Sequence, residues 1–151
     1  MLNTLKTFGG LEHRCQKIPT QDGILWLNDS KATNVGATLA ALDGLAAHKG
    51  NLIVIAGGDA KGGDLTPLKI PFQKNVSELI VMGQDAALFQ TINSHAHIVS
   101  TINDAVVLAA SFAQQGDIVL LSPACASIDM FDNYMQRGQH FIDAIGRLRE
   151  C

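Results

Sequence analysis

The sequence predicts an α/β fold: a Rossmann-like, mainly parallel sheet flanked by helices and entered through an N-terminal β-hairpin. Three observations carry this reading. The runs NLIVIAGG (51–58), SELIVMG (77–83) and GDIVLLSP (116–123) are nearly continuously apolar, and a strand apolar on both faces needs cover on both faces. Stretches with apolar residues at helical spacing alternate with these runs along the chain. Polar segments stand directly after three of the strands, at the edge where open parallel sheets gather ligands.

Taken in order, Leu2 and Leu5 share a helical face that Gly9 and Gly10 cut short. Residues 1–9 therefore read as the remnant of an interdomain linker or helix, and 10–151 as one domain. A helix that short does not hold itself, so the expectation is a piece of a longer protein. RCQKI (14–18) and GILWLN (23–28) are extended runs joined through Pro19, Thr20, Gln21, Asp22 and Gly23, a hairpin pattern. Val35, Leu39, Leu42 and Leu45 give a helix reaching Ala47, with Gly50 as its stop.

After the strand at 51–58, Pro67 and Pro71 favour a short helix or irregular crossover. Leu88, Phe89 and Ile92 line a third helix, followed by a brief strand, AHIVS (96–100). Thr101 and Asp104 have the spacing of a capping box, and Val107, Leu108 and Phe112 form the buried stripe of the helix they start. Phe141, Ile142, Ile145 and Leu148 mark the apolar face of the closing helix.

Composition narrows the function classes. Eleven basic and fourteen acidic residues give a net charge of −3 without any Lys/Arg block, so charge suggests neither nucleic acid nor an anionic membrane as partner. No apolar run approaches the length of a membrane span, and the opening residues lack a secretory pattern. Cys15, Cys125 and Cys151 are odd in number and unpaired in spacing, which points to a reducing compartment and a cytoplasmic chain.

The polar junctions hold the candidate chemistry. NDSKATN (28–34) offers Asp29, Lys31 and Thr33; GGDAKGGD (57–64) offers Asp59, Lys61 and Asp64; the segment after the last strand offers Ser122, Ser127 and Asp129. GGDAKGGD is not a GxxxxGK[ST] phosphate loop, and a tight turn explains its glycines as well as a ligand loop does. Lys61 is a flexible cation suited to a carboxylate or phosphate, against an exposed solubilising lysine. Thr33 and Asn34 suit a helix cap equally well, as does Ser127; Asp29 and Lys31 are more than one cap requires, though a simple ion pair is an alternative. Cys125 lies between small residues without an identifiable base and reads as a buried thiol. Of the histidines, which show no zinc spacing, only His13 beside Arg14 is placed near a ligand.

Together GLEHR (10–14), NDSKATN, GGDAKGGD and LLSPACASIDMFDNYMQRG (120–138) resemble the C-terminal domain of the Mur ligase family, in the branch that adds D-glutamate to UDP-N-acetylmuramoyl-L-alanine. The resemblance spans nearly the whole chain, and SPACAS with GGDAKGGD favours this branch over sister ligases. It implies an ATP- and Mg²⁺-dependent amide-bond-forming reaction through an acyl phosphate in peptidoglycan precursor synthesis, with the nucleotide and metal held mainly by a central domain that has no counterpart in these residues. It also implies that this chain alone is inactive and that the enzyme is a monomer.

Residue by residue, the resemblance places Thr33, Lys61 and Ser127 on the carboxylates of D-glutamate, with backbone around Tyr134, where the family pattern has phenylalanine. Lys31 is expected near substrate and transferring phosphate as the catalytic residue. Arg14, Asp29 and His13 are expected on the ATP side, Asp29 toward the ribose hydroxyls. No metal ligand is assigned. Two other readings stand beside this one: a non-catalytic ligand-binding module of the same fold, and an independent α/β enzyme acting through Asp29 or Cys125.

Overall fold

The structure, a computed structural model, describes residues 12–148; the linker or helix expected over 1–9 lies outside the described residues, as does Cys151. Strand β1 (Gln16–Ile18) pairs antiparallel with β2 (Leu25–Asn28). The hairpin is shorter than the extended runs predict, because Cys15 has a φ of 47° and His13 of 60°, values a strand does not accommodate. Asp22 holds the turn, its carboxylate accepting from Thr20 Oγ1 at 2.6 Å, Ile24 N at 3.0 Å and Trp26 Nε1 at 3.1 Å.

Helix α1 (Val35–Gly44) begins at Asn34, whose Oδ1 accepts from Ala37 N at 2.9 Å. It ends before Ala47, since Leu45 N turns back to Leu42 O at 3.2 Å, and it buries Thr38 beside Ala41 and Leu42. Strand β3 (Leu52–Gly57) leads to a 3₁₀ turn (Thr66–Leu68) and α2 (Lys69–Asn75). Pro67 and Pro71 both fall in first turns, where a missing N–H costs no intrahelical bond.

Strand β4 (Glu78–Met82), helix α3 (Ala86–Gln90) and the two-residue strand β5 (His97–Ile98) follow. Then come α4 (Ile102–Phe112), β6 (Ile118–Leu121) and α5 (Tyr134–Leu148).

Two apolar stripes differ from expectation. Leu88 is 44% exposed and Val107 51% exposed, while α4 buries Ile102, Ala105, Val106 and Ala109. The small alanines let α4 lie close to the sheet and to α5, so the bulkier Val107 is turned outward. Of the capping box, the hydroxyl half forms, with Thr101 Oγ1 accepting from Asp104 N at 3.0 Å.

The sheet runs β1-β2-β6-β3-β4-β5 and is parallel except for the hairpin. Both faces are covered, as the continuous apolar runs require. Leu27, Val54, Val81 and Leu120 pack with residues of α1, α2 and α3, whereas Trp26, Ile55, Ile80 and Val119 pack with residues of α4 and α5. From β3 the chain winds outward to β4 and β5 and then returns to the other side of β3 as β6. This reversal places a crevice at the carboxyl ends of β3 and β6.

Candidate functional site

Backbone hydrogen bonds knit the three polar junctions together. Ala124 N donates to Ala32 O at 2.9 Å, Gly57 N to Pro123 O at 3.0 Å, and Asp59 and Ala126 bridge the loops after β3 and β6. Among the described residues, the non-glycine positions with positive φ are His13, Cys15, Lys61 and Ala124, all in or beside these junctions. Such conformations cost about 1–3 kcal/mol each and persist only where surrounding contacts over-determine them.

One side of the crevice presents donors. Lys61 is exposed at a φ of 52°, its N–H bonded to Asp59 Oδ1 at 2.8 Å, and its ammonium has no partner among the described residues. Ser127 is 4% exposed and its carbonyl accepts from Met130 N at 3.1 Å and Phe131 N at 2.8 Å. Its hydroxyl is unengaged among the described residues. Thr33 is half-buried, its N–H closing a turn to Lys31 O at 2.9 Å.

Tyr134 opens α5. Asn133 caps the start of that helix by accepting Gln136 N on Oδ1 at 2.8 Å and Arg137 N on its carbonyl at 3.2 Å. The N–H groups of Tyr134 and Met135 remain open among the described residues. Gly58, with a φ of +132°, lies where a Cβ would come within 2.4 Å of Ala126 O. Loop-to-loop approach therefore demands this glycine, whichever ligand the loop meets.

The other side centres on Asp29, 5% exposed. Its Oδ1 accepts from Cys15 N at 3.1 Å and its Oδ2 from Ser122 Oγ at 3.0 Å, with Thr38 Oγ1 a further 3.0 Å from that hydroxyl. Burial pushes its pKa up to about 6, against the lowering effect of the Ser122 and Cys15 hydrogen bonds. Arg14, Asp29, Lys31 and Ala37 line an open cleft, and Arg14 and Lys31 are exposed. Lys31 Nζ also stands 5.9 Å from the centre of the Tyr134 ring, within cation–π range.

His13 lies beneath this surface rather than on it. It is 8% exposed; its Nδ1 accepts from Asn28 Nδ2 at 2.8 Å, its carbonyl accepts from Lys31 N at 2.8 Å, and its ring meets Tyr134 edge-on at 6.1 Å. Burial raises the Cys125 and Cys15 thiols to about 12, which leaves neither as a thiolate nucleophile near neutrality. The described residues contain no group of three or more His, Cys, Asp or Glu that could hold a metal ion. No helix among them is long and apolar enough to cross a membrane.

Sequence reasoning missed Arg137, Thr38 and the role of Ser30. Arg137 is 1% exposed and reaches Ser30 Oγ, Ser30 O and Cys125 O at 3.0, 2.7 and 3.0 Å. A signal existed: Arg137 shares the i, i+4 stripe of Phe141 and Ile145, so a cation belonged to the buried face of α5.

Residues 13–125 match the family described as Mur ligase, glutamate ligase domain, which is most of the chain. The chain belongs to this family. This Mur ligase domain is 50% identical over 148 residues to a UDP-N-acetylmuramoylalanine--D-glutamate ligase of Shewanella oneidensis, covering 98% of this chain and 34% of that protein. The enzyme of the same name from Pseudoalteromonas translucida is 51% identical over 138 residues, covering 91% and 31%. The domain thus spans about a third of the length of the curated relatives it matches.

Among solved structures, the bifunctional folylpolyglutamate synthase/dihydrofolate synthase of Yersinia pestis, complexed with AMPPNP and Mn ion, aligns with a TM-score of 0.66 at 20% identity, over 90% of this chain and 32% of that one. That likeness shows the shared fold. The resemblance read from the four motifs holds at the level of the family.

Proposed function

We propose that this Mur ligase domain is the C-terminal, amino-acid-binding part of a longer cytoplasmic ligase that joins D-glutamate to UDP-N-acetylmuramoyl-L-alanine in peptidoglycan precursor synthesis. The observation that carries the reading is the arrangement at the crevice. Lys61, the Ser127 hydroxyl and the open N–H groups at the start of α5 supply donors on one side, and Asp29 with Arg14 and Lys31 forms a cleft on the other.

A dicarboxylate needs several donors and a cation. Lys61 and Ser127, on loops joined by the Asp59–Ala126 bridge, take one carboxylate, and Thr33 with the Tyr134 N–H takes the other, fixing the position of the amine. The domain contributes orientation rather than a nucleophile, which agrees with the buried state of both described thiols. When bound, ATP supplies the γ-phosphoryl group that converts the acceptor carboxylate to an acyl phosphate, the species the D-glutamate amine attacks with release of phosphate.

The cleft fits the nucleotide. Each oxygen of Asp29 accepts one protein hydrogen bond and keeps capacity for a ribose hydroxyl, and Arg14 offers its guanidinium to ribose or phosphate. Lys31, beside both sides, serves the transferring phosphate. His13 supports that group from below, through its carbonyl bond to Lys31 N. Mg²⁺ is assigned to the parts of the ligase outside this domain.

The test is phosphate release by the full-length protein with ATP, Mg²⁺ and UDP-N-acetylmuramoyl-L-alanine, comparing D-glutamate with L-glutamate and other amino acids. Turnover with D-glutamate alone is expected, and none from the 151-residue chain by itself. Turnover with a different amino acid, or none in folded full-length protein, would reject the assignment.

A further inference from the structure

Arg137 is a buried charge, 1% exposed, that the proposed reaction does not use. A guanidinium out of water is costly unless it is paired, yet among the described residues Arg137 forms no ion pair with a carboxylate. Each of its three nitrogens donates one hydrogen bond instead, and the acceptors are informative. Nε donates to Ser30 Oγ at 3.0 Å, Nη2 to Ser30 O at 2.7 Å and Nη1 to Cys125 O at 3.0 Å. Ser30 Oγ in turn donates to Tyr134 O at 2.6 Å.

One planar fork therefore ties three segments. Ser30 lies in the loop that carries Thr33, Cys125 in the loop that carries Ser127, and Tyr134 at the start of the helix that carries Arg137 itself. These are the segments to which the proposed function assigns the amino-acid carboxylates. The separation between donors on two loops sets the length of dicarboxylate that both can grip. A rigid planar fork transmits that separation, whereas a lysine ammonium on a flexible stem does not. The nucleotide side is anchored elsewhere, through Cys15 N and Ser122 Oγ on Asp29.

Resting on that assignment of the site, we propose that Arg137 is a positioning residue that sets the spacing between the two carboxylate subsites and so determines selectivity for the five-carbon over the four-carbon acidic amino acid. It touches neither substrate and acts through Ser30 and Cys125.

The experiment uses the full-length ligase with Arg137→Lys and, as a milder change, Ser30→Ala, which removes the Nε acceptor and the Tyr134 tether. Initial rates are measured with D-glutamate, D-aspartate and ATP, and melting temperatures establish that each variant is folded. Arg137→Lys is expected to raise the KM for D-glutamate about tenfold and to lower the D-glutamate over D-aspartate ratio of kcat/KM about fivefold, with the KM for ATP within about twofold. Ser30→Ala is expected to move the same quantities in the same direction, and carries the test should Arg137→Lys not fold. Folded variants with unchanged selectivity and unchanged KM for D-glutamate overturn this inference alone. An unmodified enzyme that does not ligate D-glutamate overturns the site assignment and this inference with it.

Discussion

Asp59 and Ala126 exchange two backbone hydrogen bonds, Asp59 N to Ala126 O at 3.0 Å and Ala126 N to Asp59 O at 2.9 Å. This antiparallel bridge between distant parts of the chain holds the loop that carries Lys61 against the loop that carries Ser127. Gly58 makes the approach possible. Gly58→Ala would add a Cβ at 2.4 Å from Ala126 O at a φ of +132°. The variant is expected to lose about 1–3 kcal/mol of stability and to raise the KM for D-glutamate in the full-length enzyme; urea denaturation and initial rates measure the two effects. Wild-type values for both would show that the loops part without consequence.

Lys61→Ala in the full-length enzyme is expected to raise the KM for D-glutamate. A charged contact to a carboxylate, when desolvated and hydrogen-bonded, is worth about 2–5 kcal/mol. Because Lys61 is exposed in this domain, the lower end of that range applies unless the neighbouring domains cover it. Unchanged KM and kcat would remove Lys61 from the site.

Asp29 gives a pH prediction with a definite sign. Its pKa rises from 3.8 to about 6 through burial, so between these values the folded state binds more protons than the unfolded state. Stability from this group therefore falls as pH rises through that window, and the deficit is complete above about pH 6, where it amounts to about 3 kcal/mol. Asp29→Asn lacks the titration. Its Nδ2 can donate to Ser122 Oγ, whose proton then turns to Thr38 Oγ1. Urea unfolding of both proteins from about pH 4 to about pH 7 should show Asp29→Asn gaining on wild type as pH rises; parallel curves would contradict the burial effect.

Gly138→Ala opposes two effects of known size. Alanine in a helix interior gains about 1 kcal/mol over glycine, but the new Cβ would lie 2.1 Å from His13 Nδ1 and 3.0 Å from Asn28 Nδ2. His13 is held by the Asn28 bond and by its positive φ, so it cannot swing aside and overpacking of about 1–3 kcal/mol prevails. A net destabilisation in urea is expected. A stabilised variant would mean that the imidazole has another place to go.

Much of this architecture was legible because its strands are apolar on both faces, a pattern few layers other than a covered parallel sheet can satisfy. Pro67 and Pro71 likewise announced the short crossover after β3. Val107 and Leu88 were misread because hydrophobicity alone does not say which side of a short helix faces its neighbours; on α4, small alanines were the contact surface. In the site, Lys61, Asp29 and Ser127 stood out as polar residues after strands. Arg137 did not, since its partners are backbone carbonyls and a hydroxyl contributed by loops far away in sequence. The depth of His13 was similarly invisible, being set by Asn28 on one side and the missing side chain of Gly138 on the other.

The position of β6 between β2 and β3 also governs the order of events during synthesis. Until residues 118–121 have left the ribosome, β2 and β3 have no shared neighbour, and each carries an open edge that the finished sheet conceals. The central pairing must therefore wait for residues 118–121, a non-local closure of the kind that slows folding and exposes strand edges to other chains. Truncation before Ile118 would remove more than one strand's worth of structure: it would leave the earlier two without the element that joins them.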